Sequence, residues 1–154
     1  MRAVKRVLAA LVGERRRAPG AMIETPQAAN QAQFLAQKLD FLSLGTNDLV
    51  QLVLGLGRER ASSSPIGHPQ ILGLIDATVR AAHPVGIPVE ICGEAASQAL
   101  SLPLLVGLDV DEISVGAARV GEVRSWVREM RYADCRQRAL ALLRKGGHTA
   151  RQGA

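Results

Sequence analysis

The sequence predicts an α/β fold in which about four parallel strands alternate with helices. Three observations carry that expectation. A unit recurs along the 154 residues: a short β-like run, a polar cluster, then an amphipathic helical stretch. Apolar residues make up 47% and are mostly Ala, Leu and Val, while aromatics are only 3%, a mix that suits helix-covered layers better than an all-β sandwich. Strands that alternate with helices run parallel, joined by right-handed crossovers.

The elements follow in order. Val4, Leu8 and Leu11 share a helical face, so the chain opens as a helix. The first strand is Ala21-Met22-Ile23 and ends at Glu24. Thr25 caps the next helix and Pro26 suits its first turn, with Ala28, Ala32, Leu35 and Leu39 on the apolar face. The second strand, Phe41 to Leu44, runs into Gly45-Thr46-Asn47-Asp48, read as a polar loop. A Gly- and Ser-rich loop, GLGRERASSSPIG, leads to a helix from about Pro69 that carries Ile71, Ile75, Val79 and Ala82 in register. The third strand, Pro88 to Ile91, ends in Cys92-Gly93-Glu94. A helix around Leu100 to Val106 follows, with Pro103 limiting its length. The fourth strand, Glu112 to Val115, ends at Gly116. Behind it lies a long helix with Val120, Val123, Val127 and Met130 on one stripe, and Leu140 and Leu143 mark a final helix. Residues 1–143 read as a single domain and 144–154 as a flexible basic tail.

Composition narrows the function. The length supports one modest domain with a single core. No apolar run approaches the roughly 18 residues needed to cross a bilayer. The N-terminal MRAVKRVLAALVGERRR has too short an apolar stretch, and no small-residue cleavage site, to be a signal peptide. A cytoplasmic setting is expected. Cys92 and Cys135 lack CxxC spacing, and the three histidines add no ligand pattern, so neither a disulfide framework nor a Cys/His metal site is expected. Much of the net charge of +5 sits in Arg15-Arg16-Arg17 and the C-terminal tail, which read as solvated segments. The aromatics Phe34, Phe41, Trp126 and Tyr132 do not interleave with basic residues, which argues against nucleic acid as a partner.

A doubly wound sheet and part of a barrel both fit the element order. The placement of polar groups separates them: Glu24, Asn47 with Asp48, and Cys92 with Glu94 all stand where a strand gives way to its loop. In a parallel barrel those ends share one rim, where chemistry is assembled. Glu24 and Asp48, on adjacent strands, can converge on a hard cation such as Mg²⁺, which is commonly held by one or two carboxylates plus phosphate and water. They read equally well as two surface acids. Asn47 can bind phosphate oxygens or shape a turn. Arg58, in a Gly-flanked loop, can fold over the rim and clamp phosphate, although loop arginines are more often simply solvated. Cys92 ends an apolar strand before Gly93; a thiol there can protonate an enolate or attack as a nucleophile, and a buried inert cysteine is the commoner alternative. Cys135 has no comparable setting.

Taken together, GAMIETPQAA, DFLSLGTNDLVQ, the later Arg58, GHPQIL, ICGEAA and LPLLVGLDVDEISVGAARVGEVR resemble the phosphoenolpyruvate-utilising barrel of enzyme I of the bacterial sugar phosphotransferase system. More distantly they resemble pyruvate phosphate dikinase and phosphoenolpyruvate synthase. The stretches occur in family order over most of residues 20 to 130. The resemblance implies the second half of a (β/α)8 TIM-type barrel and a phosphotransferase that uses phosphoenolpyruvate and passes a phosphoryl group to a phosphocarrier. By position, Glu24 and Asp48 correspond to Mg²⁺-binding carboxylates, Asn47 and Arg58 to phosphate-contacting residues, and Cys92 to the acid that protonates the enolate of pyruvate. Two departures stand out: Gly57 takes the place of the usual Asp before the loop arginine, and ERASSSPIG lacks the family's Asn and Tyr character. The first four barrel strands and the histidine-bearing swivelling domain have no counterpart in this sequence. The expectation is therefore a half-barrel, incomplete alone, that forms a homo-oligomer or docks with a complementary first-half chain. The alternative is a non-catalytic binding or oligomerisation module derived from the same barrel.

Overall fold

The computed structural model describes residues 18–57 and 66–149, apart from the side chains at 95, 96 and 146–149. The opening helix and Arg58 lie outside the described residues. Four strands form one sheet: β1 (Gly20–Ile23), β2 (Phe41–Gly45), β3 (Val89–Cys92) and β4 (Glu112–Ile113). Their order in the sheet is their order in the chain, and every pairing is parallel. With helices between consecutive strands, this is the architecture of part of an α/β barrel.

The first connection holds two short helices, α1 (Pro26–Asn30) and α2 (Ala32–Ala36). The Thr25 hydroxyl accepts the Ala28 N–H at 3.1 Å, and Pro26 occupies the first turn, as the sequence indicated. The break at Gln31 moves the buried face to Ala29, Ala32, Ala36 and Leu39, so Ala28 and Leu35 only flank the core. After β2 comes α3 (Thr46–Leu54), in place of the expected loop. Gly55, at a φ of 63°, ends it with a left-handed residue. The helix α4 (Pro69–Ala82) buries Ile71, Ile75, Val79 and Ala82 as predicted.

The later elements differ more. In α5 (Leu102–Gly107), Pro103 lies in the first turn and so helps to start the helix instead of limiting it. Strand β4 is only two residues long. Of the stripe expected on α6 (Val120–Glu129), Val123 alone is buried; Val120 and Val127 are exposed. The last helix, α7 (Tyr132–Thr149), packs on α4 and α5 and runs well into the stretch assigned to a flexible tail. It approaches α5 so closely that a side chain on Gly107 would collide with the Cys135 carbonyl. No helix among the described residues is long and apolar enough to cross a membrane.

The register divides the sheet into two unlike faces. Ile23, Leu44, Ile91 and Ile113 align across the four strands, and side chains two residues apart share a face. Ile23, Leu42, Leu44, Val89 and Ile91 are all fully buried under the helices. Each such side chain contributes roughly 1.5–3 kcal/mol. The opposite face carries Met22, Ser43, Glu90 and Glu112 in one aligned row. Two residues further along the chain, the same face continues with Glu24, Gly45, Cys92 and Ser114. That second row is the rim.

Candidate active site

The polar residues that the sequence assigned to strand ends all lie at this one end of the sheet. Glu24 follows β1, Asn47 and Asp48 open α3 just after β2, and Cys92 is the last residue of β3. Because the strands are parallel, all four lie at the same end of the sheet.

The small residue in the row decides how the neighbours meet. Gly45 stands between Glu24 and Cys92, and a Cβ there would come within 3.1 Å of both the Glu24 Cβ and the Met22 Sδ. The absence of that atom lets Glu24 and Met22 lean across β2. The Met22 sulfur thereby comes within 3.9 Å of the Cys92 Sγ, from two strands away. The thiol also lies 3.6 Å from the Leu44 carbonyl and 3.9 Å from the Ser43 hydroxyl. It is half-buried, so a partly shielded thiol faces the open side of the sheet.

The β3 end is tied to the start of α3. The Thr46 hydroxyl donates to the Cys92 carbonyl at 2.8 Å, and the Glu94 N–H donates to Asn47 Oδ1 at 3.2 Å. Gly93 takes a φ of 112°, and a side chain there would collide with the Thr46 hydroxyl. Only glycine permits both the backbone conformation and the close approach. With Asn47 Oδ1 engaged by a backbone donor, its amide NH₂ remains as the donor end suited to an anion.

A cavity of about 820 Å³ opens beside this junction, lined by Asn47, Cys92, Glu94, Ser97, Ser114 and Arg119 among others. Ser114 and Arg119 come from beyond β4, so the fourth strand also serves the rim. Sequence reading passed over both. The available signal was their position just after a strand, the same signal that marked Glu24 and Cys92.

Glu24 is exposed and Asp48 half-buried. Among the described residues no three His, Cys, Asp or Glu side chains gather as a ready-made metal cage. Glu24 follows β1 and Asp48 lies in the first turn of α3; by donor chemistry both are hard carboxylates of the kind Mg²⁺ takes alongside phosphate and water. Cys135 is buried, and burial pushes its thiol up from the ordinary value, with Asp134 adding to the effect. It lies on the helix layer and takes no part in the rim.

Residues 1–132 match the family model described as "PEP-utilising enzyme, PEP-binding domain". Among curated proteins, the chain is similar to the phosphoenolpyruvate-protein phosphotransferase of Haemophilus influenzae, 38% identical over 129 residues. The proteins of the same name from Priestia megaterium and Haloferax volcanii are 40% identical over 119 residues and 42% over 127. The matches cover 75–82% of this chain and 21–22% of each relative, so the chain spans about a fifth of their length.

Proposed function

The chain belongs to the PEP-utilising enzymes, matching their PEP-binding domain, and from that premise we propose that its rim binds phosphoenolpyruvate for phosphoryl transfer to a phosphocarrier. The observation that supports the reading is the placement of Glu24, Asn47, Asp48 and Cys92 at one end of the parallel sheet. Asn47 offers amide donors to phosphate oxygens, and Glu24 and Asp48 hold Mg²⁺. Once bound, the cation offsets negative charge on the phosphoryl group as it moves. When the P–O bond breaks, the phosphoryl group passes to its acceptor and the enolate of pyruvate remains. Cys92 then gives its S–H proton to the enolate methylene carbon, forming the methyl group of pyruvate, and the thiolate is reprotonated from solvent. Such a role belongs in the cytoplasm.

The outer edges of β1 and β4 have no strand partner among the described residues. Unpaired edges invite pairing with another chain. This supports docking with complementary barrel strands, or a homo-oligomer, as the setting in which turnover occurs. It is also the observation that favours the second reading, a module that keeps binding and assembly without turnover.

Calorimetry with phosphoenolpyruvate and Mg²⁺ on the wild type and on Asp48→Ala tests the binding role. Heat in the wild type and its loss in the variant are expected; no heat in either removes the role. Pyruvate release on mixing with a phosphocarrier and a first-half barrel chain separates the enzymatic reading from the non-catalytic one.

A further inference from the structure

We propose that Arg119 is a substrate-binding residue, whose guanidinium takes an oxyanion group of phosphoenolpyruvate at the rim and releases Glu122 to do so. The inference rests on the phosphoenolpyruvate reading above and adds a residue that reading does not contain.

The cavity beside Cys92 needs a cation to hold such a ligand. Phosphoenolpyruvate is anionic at both its phosphate and its carboxylate, and Glu94, which lines the cavity, opposes it. Among the described residues, Arg119 is the one cationic side chain lining this space. It stands at the end of the 3₁₀ turn Ala117–Arg119, three residues past Gly116, and lines the cavity together with Ser114.

Its present engagement is of a kind that an incoming anion can displace. Arg119 Nε and Nη2 both donate to a single oxygen, Glu122 Oε2, at 3.0 and 2.9 Å. That is not the parallel fork in which two oxygens meet two N–H groups, the strongest mode for a guanidinium. The pair is also open to solvent, with side chains 43% and 49% exposed, and exposed ion pairs contribute little to stability. A phosphate or carboxylate can present two oxygens at once and complete the fork. Trp126 lies over the guanidinium, with its ring centroid 5.5 Å away. This cation–π contact restrains the guanidinium plane, so less freedom is lost when an anion binds.

Trp126 is the chain's only tryptophan, so its emission reports on Arg119. The experiment pairs calorimetry, which detects phosphoenolpyruvate anywhere on the chain, with Trp126 fluorescence during the same titration in Mg²⁺. In the wild type both signals should saturate together. Arg119→Ala should weaken binding by about tenfold and abolish the ligand-dependent emission change, and Arg119→Lys should restore part of the affinity. Glu122→Gln removes the competitor and should tighten binding about threefold, but only while Arg119 is present. Inorganic phosphate and pyruvate, titrated separately, identify the end of the substrate that Arg119 holds, since the matching one moves the emission. Wild-type heat without an emission change, and with unchanged affinity in Arg119→Ala, overturns this inference while leaving the binding role standing. No wild-type heat fells both.

Discussion

Where the strands begin, charged side chains tie one element to another; where they finish, the ion pair beside the cavity, Arg119 with Glu122, is local and open to solvent. At the first end, Asp111 Oδ2 lies 2.9 Å from His83 Nε2 and accepts the Val89 N–H at 2.8 Å. Beside it, Asp109 is held in the left-handed region at a φ of 61° by the Tyr132 hydroxyl at 2.7 Å and Arg136 at 3.2 Å. Arg136 also donates to the Gly107 carbonyl. These groups knit the loops before β3 and β4 to α4 and α7. At the other end, Asn47, Cys92 and Arg119 line an open cavity, on backbone fixed by Thr46 and Gly93. One end ties its charged groups across the fold, and the other sets polar groups around a cavity. In parallel α/β barrels stability and chemistry divide in the same direction.

The comparison breaks most severely at Gly93, the one residue on which both backbone and rim depend. Gly93→Ala should cost roughly 2–4 kcal/mol in thermal unfolding, through positive-φ strain and the clash with Thr46, and should remove phosphoenolpyruvate binding by calorimetry. An unchanged melting temperature would contradict the close approach. Asp48→Ala should sharpen the contrast: calorimetric binding falls about a hundredfold, while denaturant stability drops by only about 1 kcal/mol through the lost charge at the start of α3.

At the opposite end the pattern inverts. Asp111→Asn should lower stability by about 1 kcal/mol and leave phosphoenolpyruvate affinity unchanged. The pH dependence has a definite sign. Burial raises the Asp111 pKa, but the Val89 N–H and the hydrogen bond and charge of His83 outweigh it, so the group titrates below its ordinary 3.8. A depressed carboxylate stabilises the fold above that value and loses the contribution as pH falls below it through the folded-state pKa. Acid denaturation should therefore be shallower in Asp111→Asn than in the wild type. Smallest of all, Arg80→Ala removes an i,i+4 pair with Asp76 whose arginine side chain is 73% exposed. It should shift stability by no more than about 0.5 kcal/mol and leave the rim untouched.

Much of this was legible before any coordinates. Thr25 with Pro26, the periodic Ile71, Ile75 and Val79, and the β-like runs ending at Glu24 and Cys92 are local signals, and local signals survive folding. Thr46-Asn47-Asp48 misled because these residue types favour turns and caps; in the fold they form the first turn of α3, where Asp48 meets the positive end of the helix dipole. The Val120 and Val127 stripe misled in another way: periodicity tells which face of a helix is apolar, not whether anything covers it. Arg119 was hidden because its nearby partners, Glu122 and Trp126, look in sequence like ordinary surface neighbours. Only the register, which brings the turn after β4 to the same rim as Cys92, reveals it.

The sheet order bears on how the molecule is made as well as on what it does. Each strand hydrogen-bonds to the one synthesised before it, so no strand waits for a distant stretch of chain before it can pair. Each pairing nonetheless closes a crossover, since Gly20 pairs with Phe41, Leu42 with Val89 and Glu90 with Glu112, and parallel pairing across such separations is slow compared with hairpin formation. A growing chain can lay down its βα units one after another as it leaves the ribosome, building the sheet in the order in which it is translated.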